Sequence, residues 1–144
     1  MFKKFGSPRL DEIVSPHIAV LLLRVGAACL IMTHGIPKLM RIMEGNFGFG
    51  DPLGIGPTVS LFLVTFAEAI CAIFVLIGLW TRVALIPLLI NMTVVVFVAH
   101  ADDPFGQKEK GLLFLVMFIV LFLTGAGKYS LDGVFNKRSR RYRI

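Results

Sequence analysis

Four runs of about twenty apolar residues, at 15–40, 58–80, 81–100 and 109–126, occupy most of this 144-residue chain. A run of that length crosses the hydrocarbon core of a bilayer as an α-helix. No water reaches backbone N–H and C=O groups there, so only helices and closed barrels satisfy them, and these runs lack the period-two alternation of a barrel strand. The hydrophobic content of 56% stands above the roughly 45–50% of soluble domains. The chain is therefore predicted to be all-α, a four-helix transmembrane bundle at 15–135, with a basic arm at 1–14 and a basic tail at 136–144.

The net charge of +6 is distributed as membrane orientation requires, not as a nucleic-acid surface would be. Lys3, Lys4 and Arg9 precede the first run, Arg82 sits between the second and third, and Lys128, Lys137, Arg138, Arg140, Arg141 and Arg143 follow the fourth. In an up-and-down bundle these segments share one side, so both termini are predicted to be cytoplasmic and the glycine-rich loop at 44–57 external. The tail is expected to touch acidic lipid, and no nucleic-acid partner is expected. Arg24 interrupts the first run and no small-x-small cleavage site closes it, which marks it as a retained span and not a signal peptide.

Ionisable residues inside apolar spans are costly and so point to an interior or a wet cavity. Arg24, Ala28, Ile31, Gly35 and Lys38 fall within about 80° of arc on one helix, with His34 on the flank. Glu68 is the acid deep in the second run. Counting about 1.5 Å per residue from opposite ends places Arg24 and Glu68 at similar depths, so they are expected to form a buried polar pair, directly or through water or Asn91. The same count brings His34, Lys38, His100 and Glu109 to one level near the outer face, with Asp102 or Asp103 close by. Asn91 and His100 are half a turn out of phase, so an undistorted helix cannot aim both at one site. The loop at 44–57 is either a plain connection or a lid over this outer tier.

Cys29 and Cys71 lie in different spans with no C-x-x-C spacing, and they are read as buried small hydrophobes. The outer tier admits three ligand classes. Two histidines with two carboxylates suit a divalent metal, although no metal-ligand spacing is present; two histidines on separate helices suit a haem; donors such as His and Lys beside an apolar slot suit a quinone headgroup.

Taken in order, Arg24 and Gly26, His34-Gly35 with Lys38, Leu53-Gly54-Ile55, Glu68 with Gly78 and Arg82, His100, Glu109, and Gly125-x-Gly127-x-x-Ser130-Leu131-Asp132 resemble the DoxX family of small four-span bacterial membrane proteins. The likeness runs from Leu22 to Phe135. It implies a multi-pass protein of the bacterial plasma (inner) membrane linked to respiratory or thiol redox chemistry. One branch of that family is associated with quinone-dependent sulfur oxidation and another with membrane complexes that handle oxidative stress. The resemblance thus suggests an oxidoreductase accessory subunit; set beside the outer tier that helix depth assembles, it leads to the expectation that quinone or a partner oxidoreductase binds at His34, Lys38, His100 and Glu109, with a second copy of the chain as a further partner. The absence of a paired-cysteine motif argues against thiol exchange by this chain. The contrasting expectation is a structural or carrier-type bundle whose buried charges serve helix packing.

Overall fold

A computed structural model describes residues 16–141; the arm at 1–14 lies outside them. The described residues are helical and contain no strand. Helix α1 runs Pro16–Met43, α2 Pro57–Ile77 and α3 Thr81–Ala99, α4 Phe105–Thr124 and α5 Leu131–Arg141. The first four alternate in direction; α1 packs on α2 and α4, and α3 packs on the same two, giving a square bundle. The starts of α1 and α3, the ends of α2 and α4, and helix α5 gather at what we call the terminal end. The loop at 44–56 and the turn at 100–104 form the loop end.

The limits of these helices follow from local chemistry. Pro57 opens α2 in the first turn, where a missing N–H costs nothing. Gly78 closes α2 in the left-handed conformation, φ 71°, which a glycine adopts without a Cβ penalty. Trp80 also has positive φ, 46°, and the Asp132 carboxylate holds it there by accepting from the Trp80 N–H at 2.8 Å and the Thr81 N–H at 3.0 Å. Helix α5 begins similarly: the Ser130 hydroxyl oxygen accepts from the Gly133 N–H at 3.0 Å. This helix continues through 135–136, where the charge pattern alone marks off a tail, because its start is fixed by capping and not by charge.

Among the described residues the core is one cluster, with Ala28, Val75, Leu85, Leu88, Phe118 and Leu121 fully buried. Many large apolar side chains instead face outward, among them Leu22 at 68% and Leu123 at 70% exposure. An apolar exterior of this kind is solvated by lipid. Helices α1, α2 and α3 are long and apolar enough to cross a membrane. Helix α4 differs because Lys108, Glu109 and Lys110 occupy its first two turns, and its charge-free part at 111–124 extends only about 21 Å.

Candidate ligand-binding site

Helix α2 widens into a π-helical turn at Phe66–Cys71 that contains Glu68. Such a turn inserts one residue and rotates the face that follows by about 100°. The neighbouring helix is shaped to receive it: a Cβ on Gly35 would overlap the Glu68 carbonyl, so only glycine lets α1 approach this closely. Gly35 therefore sets the spacing at which a side chain one turn further along α1 can reach Glu68.

That side chain is Lys38. Its ammonium forms an ion pair with Glu68 Oε2 and donates to the His34 carbonyl at 3.3 Å. The other carboxylate oxygen, Glu68 Oε1, accepts from Asn91 Nδ2 of α3 at 2.9 Å. Three helices are thus tied together at one acid whose side chain is 5% exposed. Lys38 is 20% exposed, because its other side borders a cavity of about 300 Å³ at the loop end. His34, Lys38, Glu68 and His100 line this cavity together with Lys110 and Phe114.

The expected pairing of Arg24 with Glu68 is not found. Arg24 is buried, but its Nη1 donates to the Ala126 carbonyl at 2.8 Å and its Nη2 to the Tyr129 carbonyl at 2.6 Å, both just beyond α4. The physical reason is side-chain direction. Every Cα–Cβ bond tilts toward the helix N-terminus, so a long side chain covers the turn before its own Cα. Arg24 consequently reaches back to the terminal end, while Lys38, which depth counting placed above Glu68, reaches back down to it. Arg24 Nε is buried without a hydrogen-bond partner, and Gly78 leaves the space that the guanidinium fills.

Of the four residues expected in the outer tier, three converge. His34 lies edge-on to Phe114 with ring centroids 6.1 Å apart. His100 Nδ1 is 2.6 Å from Asp103 Oδ2; a neutral ring whose Nδ1–H donates to Asp103 offers Nε2 as an acceptor. Glu109 is exposed and does not line the cavity; its neighbour Lys110 does. Lys110, Phe114 and Phe118 share one stripe of α4 at i, i+4 spacing, and Glu109 is a residue, about 100°, away from it. Because this helix is apolar all round beyond Lys110, no sequence signal separates Lys110 from Glu109; the burial of Phe118 in the packed bundle does.

Asn91 and His100 serve the same acid-centred region despite their spacing, because α3 also contains a π-helical segment, Val95–Ala99, and is not an undistorted helix. Among the described residues no three His, Cys, Asp or Glu side chains are grouped to hold a metal ion, so the two-histidine, two-carboxylate arrangement is not assembled. Both cysteines are free; Cys71 is buried as expected, whereas Cys29, also read as buried, is exposed on the outward side of α1.

The loop at 44–56 does not cover the cavity. Asp51 folds it back on α2, with Oδ2 accepting from the Gly56 N–H at 2.7 Å and Oδ1 from the Ile55 N–H at 3.0 Å and the Ser60 hydroxyl at 2.9 Å. Desolvation pushes the Asp51 carboxyl up, but the hydrogen bonds from Gly56, Ser60, Ile55 and Gly54 outweigh it and hold the group below its ordinary value. Leu53 and Ile55 instead border a separate apolar cavity of about 270 Å³ between α2 and α3, which Asn91 also lines.

The DoxX family model matches residues 19–101, which include Arg24, His34, Lys38, Glu68, Asn91 and His100 but not α4. An uncharacterized membrane protein of Mycobacterium tuberculosis (strain ATCC 25618 / H37Rv) is 31% identical, over 92% of this chain and 90% of the relative. An uncharacterized protein of Haemophilus influenzae (strain ATCC 51907 / DSM 11121 / KW20 / Rd) is 28% identical, over 81% of this chain and 90% of its own length. No solved structure matches the chain. With the family model covering more than half of its length and a relative above 30% identity along nearly all of it, this chain belongs to the DoxX family of membrane proteins.

Proposed function

We propose that the protein is a redox-associated subunit of the bacterial inner membrane, with four spans and both termini cytoplasmic, and that the loop-end cavity binds the headgroup of a lipid-soluble quinone. The observation that carries this reading is the convergence of His34, Lys38, Glu68 and His100 on one cavity. In this arrangement α4 is the fourth span, with Lys108, Glu109 and Lys110 in the headgroup layer and Gly111 onward in the hydrocarbon.

The residues fit such a ligand. A quinone accepts two electrons and two protons at its carbonyl oxygens, and so requires hydrogen-bond donors there. The Lys38 ammonium has three hydrogens, of which Glu68 and the His34 carbonyl take two. The third serves one quinone carbonyl, and the His34 imidazole N–H serves the other. Glu68 positions Lys38, while Asn91 fixes the Glu68 rotamer from behind. About 300 Å³ is at the lower end of small-molecule sites, enough for a ring whose tail leaves toward lipid.

Mild detergent purification followed by organic extraction tests this directly. The expected extract shows a quinone ultraviolet spectrum that His34→Ala and His100→Ala deplete while the bundle keeps its thermal transition. Wild-type protein free of extractable quinone, and unable to retain an added short-chain quinone, would refute the reading. That result favours the other function, a structural or carrier-type bundle, for which the Lys38–Glu68–Asn91 tie across three helices is the specific support. A partner oxidoreductase or a second copy docking at the same end accommodates either result.

A further inference from the structure

A larger cavity, about 690 Å³, opens at the terminal end between the α2–α3 turn, the end of α4 and the start of α5. Among the described residues lining it, the exposed cation is Arg82. This side chain is exposed, donates a 3.3 Å hydrogen bond to the Leu123 carbonyl, and lies over Gly125, where an added Cβ would stand 3.8 Å from Nε and Nη2. The acid in the same wall, Asp132, is engaged by the Trp80 and Thr81 N–H groups and by the Thr81 hydroxyl at 2.8 Å. Behind the wall Arg24 donates to the carbonyl of Ala126, itself a lining residue, which adds a second positive charge.

The surroundings of Arg82 are those of a bilayer interface. Trp80 is 69% exposed, and Val83 and Phe135 beside it are exposed as well. Tryptophan at the end of an apolar helix marks the headgroup level. Helix α5 leaves this wall with Lys137, Arg138, Arg140 and Arg141 in its sequence. An exposed guanidinium in an open cavity beside an apolar rim is complementary to one kind of occupant, an anionic phosphate carrying acyl chains.

We propose that this cavity is a binding site for an anionic glycerophospholipid, with Arg82 as the phosphate ligand and Trp80, Val83 and Phe135 against the acyl chains. It is independent of the loop-end cavity and of what that cavity holds.

Trp80 is the single tryptophan of the chain, so its fluorescence reports on this site alone. Delipidated full-length protein in maltoside detergent is titrated with phosphatidylglycerol or phosphatidylcholine carrying brominated acyl chains, which quench tryptophan on contact. The expected result is saturable quenching at lower concentration for phosphatidylglycerol, with the half-saturating concentration raised about fivefold in Arg82→Gln, the factor for one interfacial cation. Arg82→Lys, which keeps the charge and loses the planar fork, should fall between them. Should Arg82→Gln fail to fold, Arg82→Lys with a salt titration decides, since added salt must erase the preference for phosphatidylglycerol.

Equal quenching by the two lipids, or a folded Arg82→Gln variant that behaves as wild type, would overturn the proposal. Inorganic phosphate at millimolar concentration should not displace the lipid. Displacement that depends on Arg82 would assign the site to free phosphate and overturn the lipid assignment. A fluorescence change that follows protein concentration and not lipid would make this face a contact between copies, and would overturn it too.

Discussion

Replacing Lys38 by Met removes the cation that faces Glu68 and leaves the carboxylate with Asn91 alone. The Glu68 side chain is 5% exposed, so the orphaned charge has little water to turn to. Truncating one partner of a buried ion pair costs about 3–5 kcal/mol. Lys38 is 20% exposed and borders a cavity that admits water, which puts the expected loss at the lower end, about 3 kcal/mol. Glu68→Gln strands the Lys38 ammonium less severely, because the cavity can hydrate it, and about 2 kcal/mol is expected. The double variant Lys38→Met/Glu68→Gln contains no buried charge at this position. It should recover at least about 2 kcal/mol of the summed losses, which is the coupling energy of the pair.

Thermal unfolding in a mild nonionic detergent measures all four proteins under one condition. At about 2–4 °C per kcal/mol for a chain of this size, Lys38→Met should lower the transition by about 6–12 °C and Glu68→Gln by about 4–8 °C. The double variant should lie above the sum of the two shifts by several degrees. Strictly additive losses would refute the ion pair as the element that holds α1 against α2. A double variant worse than the sum would show that Lys38 and Glu68 each support separate neighbours.

Arg24→Gln and Glu68→Gln, in contrast, share no partner, so their losses should add within about 0.5 kcal/mol in the same melts; recovery in that double variant would reinstate a direct Arg24–Glu68 pair. Gly35→Ala places a methyl against the Glu68 carbonyl and should cost about 1–3 kcal/mol by overpacking while also separating α1 from α2. A neutral Gly35→Ala would show that the close approach is dispensable. Asp51 is held below its ordinary carboxyl value, so its contribution to loop order is complete above the unfolded value of 3.8 and is lost as pH falls through the lower folded value. Hydrogen-exchange protection at the Ile55 and Gly56 amides, normalised for intrinsic rates, should decline over that acid range, and Asp51→Asn should abolish the pH dependence.

The helices were legible because span length and apolarity are local properties: the four predicted runs coincide with α1 to α4 to within a few residues. Azimuth and reach are not local. The Cα levels of Arg24, Lys38 and Glu68 follow from sequence position, whereas side chains on α1 travel most of a turn backward, enough to exchange the partner of Glu68. Nor is a π-helical turn visible in composition, since Phe66–Cys71 and Val95–Ala99 read as ordinary apolar helix. Both therefore shifted the phase of polar residues without warning. Glu109 and Lys110 show the same limit, as adjacent charges whose difference is a 100° rotation that only packing against α3 resolves. Helix α5 was hidden because its basic sequence has the look of a solvated tail, and only the Ser130 and Asp132 contacts reveal what anchors it.

The two clusters of polar residues divide the labour of the bundle in a way their bonding explains. At the terminal end the two Nη groups of Arg24 are held by backbone carbonyls, and Asp132 by backbone N–H groups and a hydroxyl. Backbone partners cannot change rotamer, so this end is a fixed clasp that holds α1, the α2–α3 turn and the start of α5 in register. At the loop end Lys38, Glu68 and Asn91 bond mainly through side chains, and the lysine has one hydrogen left to offer. A side-chain network bordering a cavity can exchange partners when a ligand enters, at the cost of a rotamer and not of a helix. The immovable charge thus sits where the helices must be held together. The charge able to change partners sits where Gly35 brings α1 close to α2 and two π-helical segments re-aim the polar side chains beside a cavity, and that asymmetry is what makes the loop end the place to look for chemistry.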